Sequence, residues 1–142
     1  MFNKTICLLG ASLMLAACNS TAQPNANAAD SSAVSIKQVW HLTELSGYKG
    51  AIPAEAKMDW TNLPQAHAYM GCNHINFEAQ TDAKGSLKTG VAISTLMYCE
   101  GAMPLENAFS EAIEHLTHYE LNGKILILRG KNGVQMKFEP AQ

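Results

Sequence analysis

Tyr119-Glu120-Leu121-Asn122-Gly123-Lys124-Ile125-Leu126-Ile127-Leu128-Arg129 reads as strand, two-residue turn, strand. Asn-Gly supplies the two positive φ angles of a type I′ turn, whose twist matches the strands on either side. A two-residue connection can join only antiparallel neighbours. The run Ile125-Leu126-Ile127-Leu128 is apolar on both faces, as expected of a central strand covered by a helix. After residues 130–133, Val134-Gln135-Met136-Lys137-Phe138 alternates apolar and polar and returns as the next strand.

Upstream, the two-residue period recurs. Val39–Leu45 places Trp40 and Leu42 on one side, His41 and Thr43 on the other. Residues 47–56, with Gly50 and Pro53, read as loop, and residues 57–61 as a short strand with Met58 and Trp60 together. Ala66, Ala68, Met70 and Cys72 share a face that Ile75, Phe77 and Ala79 continue. Residues 82–85 read as a turn. Residues 90–95 give another alternating strand, with Val91 and Ile93 expected inward. One helix is predicted near 104–117. Pro104 suits its start and Glu106 its N-terminal dipole, and Leu105, Ala108, Phe109, Ala112, Ile113 and Leu116 form one apolar face. Glu111–His115 and Glu114–His118 would be i,i+4 pairs on the wet side. About eight short strands and one helix make a small antiparallel α+β domain, and strands this numerous curl or close to remove their edges.

The first residues have a different character. Lys4 precedes an uncharged apolar run over residues 5–17. That run is shorter than the ~20 residues needed to cross a bilayer, as in a cleaved secretory signal. It closes on Leu15-Ala16-Ala17-Cys18, which resembles the bacterial lipobox. The resemblance implies cleavage after residue 17 and acyl chains on Cys18, against the plainer reading of an ordinary signal with an incidental cysteine. Asn19 after the cysteine, by resemblance to Gram-negative lipoproteins, implies transfer to the outer membrane. Two or more acyl chains anchor stably where one does not. Residues 18–35, rich in Asn, Ala, Ser and Thr, have the composition of a flexible tether with a reach of roughly 20–25 Å. The domain proper is expected over 36–140.

The chain has 142 residues with 10 Lys and Arg against 12 Asp and Glu. Without a basic stripe, nucleic acid is not an expected partner. Of four cysteines, Cys7 falls in the signal and Cys18 carries the lipid. Cys72 and Cys99 remain, in an oxidising compartment where two thiols usually pair. Their separation is unlike Cys-x-x-Cys, which favours a structural bridge over a redox or metal pair.

Gly71-Cys72-Asn73, then Ser94-Thr95-Leu96-Met97-Tyr98-Cys99, then Glu106-Asn107-Ala108-Phe109 resemble the META domain, also called HslJ-like or DUF306 after heat-inducible bacterial proteins. Trp40-His41-Leu42 and Leu126-Ile127-Leu128 fit its opening and closing strands. Asn76-Phe77-Glu78 departs from the Gly-x-Tyr many members carry there. The resemblance implies a strongly curved sheet or cracked β-barrel with one packed helix, a fold similar to that of pilotins. It brings no catalytic residues and no cofactor or metal. What transfers is Gly71, Asn73, Thr95, Met97, Glu106 and Phe109 as fold determinants, with the cysteine pair.

The plain roles compete with sharper ones. Glu106 reads as a helix-end charge satisfying nearby N–H groups, and Asn73 as a turn cap. His115 and His118, three apart on the expected helix, could share a metal, but no third ligand supports it. His67 and His74 read as solvated. Met70, Met97, Met103 and Met136 could line an adaptable pocket, although ordinary core is the simpler reading. The expected function is a non-catalytic, lipid-anchored binding or chaperone-like module at the outer membrane, facing the periplasm. Its partner would be an envelope protein or apolar ligand. The alternative is an envelope heat-shock or antibiotic-tolerance protein with a structural role and no dedicated ligand.

Overall fold

A computed structural model describes residues 34–142. The expected signal over 1–17, Cys18 and the tether up to residue 33 lie outside them. The order is β1 (Val39–Leu45), β2 (Lys57–Asp59), β3 (Gln65–Tyr69), β4 (His74–Thr81), β5 (Leu87–Thr89), β6 (Ile93–Ser94), α1 (Met103–Ile113), β7 (Leu116–Asn122), β8 (Ile125–Gly130) and β9 (Gln135–Pro140). The strands form one antiparallel sheet in the order β5-β4-β3-β2-β1-β9-β8-β7, and β6 pairs with β4 beside β5.

The two ends of that order meet. Ser86 bridges His118, and the Tyr119 N–H donates to the Gly85 carbonyl at 2.8 Å. The Tyr119 hydroxyl adds a 2.6 Å bond to the Asp82 carbonyl. The sheet is therefore a nearly closed barrel with a short seam, in keeping with the curvature expected of many short strands.

Alternation builds the core. Trp40, Leu42, Met58, Trp60, Met70, Ile75, Leu126, Leu128 and Phe138 are fully buried, as are Leu105, Phe109 and Ile113 of α1. Strand and helix residues belong to one apolar cluster, so α1 packs against the inward face of the sheet. A bulge between Leu42 and Glu44 shifts the β1–β9 register, and Leu42 and Leu45 both turn inward. Asn76, Phe77 and Glu78 run straight through β4.

Four sequence expectations change. The helix ends at Ile113, not near residue 117. The Thr89 hydroxyl bonds the Ile113 carbonyl at 2.6 Å, and the His115 carbonyl accepts from the Lys131 N–H at 2.9 Å. Leu116 is buried as expected, but as the first residue of β7. His118 consequently lies in β7, which dissolves both the Glu114–His118 helical pair and the His115–His118 helical spacing.

The hairpin turn is displaced by one residue. Asn122 pairs with Ile125, which leaves Gly123-Lys124 as the loop, with positive φ at Gly123 alone. That is the type II′ pattern rather than I′. The register explains the shift, because it sets Leu121 against Leu126 and Tyr119 against Leu128. A loop at Asn122-Gly123 would move the pairing by two residues, keeping the same faces but setting Leu121 against Lys124 and Tyr119 against Leu126.

The expected strand over 90–95 shrinks to Ile93–Ser94, and its face reverses. Val91 is 76% and Ile93 69% exposed, while Ala92 packs against the core. Ile93 stands opposite Asn76, an outward residue of β4, and shares its direction. The methionines also divide: Met70 and Met136 are fully buried, whereas Met97 is 54% exposed.

Candidate functional site: a buried amide–carboxylate clamp

Two polar side chains are buried among the described residues, Asn73 and Glu106, and they bond each other. Each reaches its place for a local reason. After β3 the chain turns at Gly71 with φ +115°, a conformation L side chains rarely adopt. A side chain there would also press on the Ala102 Cβ, 3.3 Å from where its own Cβ would sit. The turn carries Cys72 and Asn73 inside before β4 begins. Glu106 lies in the first turn of α1, and spacing by three and seven puts it in line with Phe109 and Ile113 on the buried face. A carboxylate on that face enters the core, where it needs donors.

Asn73 supplies them. Its main-chain N–H donates to Glu106 Oε2 and its amide Nδ2 to Oε1, both at 2.7 Å. Nδ2 also donates to the Met97 carbonyl at 2.9 Å. Asn73 Oδ1 accepts from the Thr95 hydroxyl at 2.7 Å and from the Met97 N–H at 2.8 Å. The amide's two donors and two lone pairs are thus all engaged. Asn73 stands in for a missing strand partner: it satisfies both main-chain groups of Met97, in a stretch that has no partner strand of its own. Thr95 extends the link, its N–H donating to the His74 carbonyl at 3.2 Å and its hydroxyl accepting from the His74 N–H at 3.3 Å.

The disulfide lies beside this network. Cys72 and Cys99 are joined with 5.8 Å between their Cα atoms. The Cys99 carbonyl accepts from the N–H groups of Ala102 and Met103 at 3.2 and 3.3 Å, which ties the bridge to the start of α1. No side chain caps that helix end. Gly71, Cys72, Asn73, Thr95, Met97, Cys99 and Glu106 thus come together in one place, fastening residues 90–102 to the barrel and to α1. Phe109 stands apart from them as core.

The other candidates scatter. His67 Nδ1 bonds Asn76 Oδ1, and the His74 ring lies against Tyr69 at 5.3 Å between centroids, both on the outer surface. His41 Nε2 is 3.2 Å from the Pro53 carbonyl. A shallow cavity of about 230 Å³ adjoins the clamp, lined by Tyr48, Pro53, Met70, Gly71, Ala102 and Leu105 among others. Of the four methionines weighed as a pocket lining against ordinary core, it takes only Met70. Among the described residues no group of three His, Cys, Asp or Glu is placed to hold a metal ion. Sequence reading missed the direct Asn73–Glu106 partnership, although a Glu in step with Phe109 and Ile113 was its signal.

A sequence model of the family described as META domain matches residues 33–142. No curated protein matches the chain. Three solved structures share the fold. One, described as an NMR structure of a protein from Burkholderia xenovorans, is 20% identical with a TM-score of 0.59, over 75% of this chain and 83% of that one. A second NMR structure is 18% identical with a TM-score of 0.58, over 74% and 90%. The third is a crystal structure of a DUF4847 family protein from Bacteroides vulgatus, 13% identical with a TM-score of 0.56, over 75% and 94%.

Proposed function

This chain belongs to the META-domain family, and from that premise we propose that it is a non-catalytic binding module of the cell envelope, held at the outer membrane by lipid on Cys18. The observation that carries the reading is the clamp. Its polar groups are turned on one another: the Asn73 side-chain amide has no free donor or acceptor, and both Glu106 oxygens accept from Asn73. Catalytic groups need a reacting atom within hydrogen-bond reach. Here the motif side chains serve to hold a segment in place, and what they hold outward is apolar surface. The Leu15-Ala16-Ala17-Cys18 signal supports the anchor, and the tether composition supports a domain working close to the membrane.

The test uses tagged full-length chain recovered from envelopes. The proposal expects a lipid mass on Cys18 that is lost, with membrane retention, in Cys18→Ala. It also expects a stoichiometric bound molecule or partner by native mass spectrometry. A chain that repeatedly emerges bare contradicts the binding role, and an unmodified Cys18 contradicts the anchor.

A further inference from the structure

Residues 90–99, Gly-Val-Ala-Ile-Ser-Thr-Leu-Met-Tyr-Cys, contain no charged residue. Five of their apolar side chains face water: Leu96 is 97% exposed, Tyr98 82%, Val91 76%, Ile93 69% and Met97 54%. Among the described residues only Ile125, at 38%, joins them as an exposed large apolar side chain. Single exposed leucines need no explanation, but a contiguous set marks an interaction site. The segment is also fixed, by the Asn73 bonds to Met97 and Thr95 and by the disulfide at its end. An apolar segment fixed outward in advance gives up little conformational entropy on docking.

We propose that residues 91–98 dock the domain onto the lipid bilayer, with Leu96 and Tyr98 entering the boundary between headgroups and acyl chains. This rests on the Cys18 anchor of the proposed function. The chemistry fits that occupant: side chains as exposed as Leu96 and Tyr98 suit a soft, deformable partner, and tyrosine favours the membrane–water interface. The chain outside the described residues fits as well. Cys18 stands 16 residues before Val34, a length whose composition gives a reach of roughly 20–25 Å, so a lipid there holds the segment at high local concentration over its own membrane.

The experiment places a reporter in the segment. Leu96→Trp is made in the full chain, with Tyr98→Trp as a second probe and Lys124→Trp, in the exposed β7–β8 turn, as control. The native Trp40 and Trp60 are fully buried and give a constant background. On vesicles of phosphatidylethanolamine and phosphatidylglycerol, acrylamide should quench the segment probes several-fold less than the control. Brominated lipids should quench the segment probes and spare the control. Equal acrylamide quenching at Leu96→Trp and Lys124→Trp overturns the proposal. So does shielding that appears only when envelope proteins are added, which would assign the segment to a protein partner. Mass spectrometry of the Cys18 peptide reports the anchor separately, and the probes read insertion whether or not that lipid is present.

Discussion

Glu106→Gln changes one oxygen to an NH₂ group at constant shape, and the geometry makes that change expensive. Each Glu106 oxygen receives one donor from Asn73 at 2.7 Å, Oε2 from the main chain and Oε1 from the amide. Glutamine offers one oxygen. Whichever way it turns, its NH₂ meets a second donor in a site where Glu106 is only 4% exposed. One charge-assisted bond is lost and a buried donor is left unsatisfied, together about 2–4 kcal/mol. At about 4 °C per kcal/mol for a domain near this size, Tm should fall by about 8–16 °C in a circular-dichroism melt. Glu111→Gln, on the exposed side of the same helix, should change stability by less than about 0.5 kcal/mol. A cycle with Asn73→Ala reports the coupling, since both substitutions disturb the Asn73 Nδ2–Glu106 Oε1 bond and should be non-additive. A Glu106→Gln loss below about 2 °C, or strict additivity with Asn73→Ala, would refute the reasoning.

Two further outcomes follow from other contacts. Reducing the Cys72–Cys99 bridge, which spans 27 positions, should cost about 3–4 kcal/mol by the chain-entropy relation, read as a lower Tm with reductant; an unchanged Tm would remove the bridge from the account. Asp59 is held below the ordinary carboxylate range, first by the Thr61 hydroxyl and then by the Thr61 N–H. A depressed folded-state pKa gives stability that is present above the ordinary value and lost as pH falls through the folded one. Thr61→Val should move the Asp59 titration upward by NMR and shrink that acid-side loss, whereas an unmoved titration would assign the depression elsewhere.

Alternation carried most of the barrel because a sheet with one buried face must repeat every two residues. Trp40 and Leu42, Ala66, Ala68 and Met70, Ile75, Phe77 and Ala79, and Met136 with Phe138 all lie inside as that period requires. The misreadings occur where a distant bond outweighs a local preference. Asn-Gly favours its own turn, but the observed register sets Leu121 against Leu126, where a loop at Asn122-Gly123 would set it against Lys124, and the loop falls at Gly123-Lys124. Leu116 fits both a helical face and a strand start, and the contacts of Thr89 with Ile113 and of Lys131 with His115 decide between them.

The candidate site was legible as residues but not as a network. Gly71-Cys72-Asn73, Thr95, Met97, Cys99 and Glu106 stand out as motif members, yet Asn73 and Glu106 lie 33 positions apart and nothing local announces their bonds. The outward face of Val91 and Ile93 has the same origin. Local periodicity assigns apolar residues to the interior, and it cannot register that the segment is pinned by its main chain and by a disulfide.

Amide hydrogen exchange at Met97 tests the clamp most directly. Met97 lies outside any helix or strand and is 54% exposed, so an ordinary loop amide there would exchange rapidly. Its N–H donates to the buried Asn73 Oδ1 at 2.8 Å. The account predicts protection at Met97 comparable to the core strands, together with protection at Asn73, and loss of both in Glu106→Gln. Exchange at Met97 as fast as at the exposed turn residue Lys124 would contradict it.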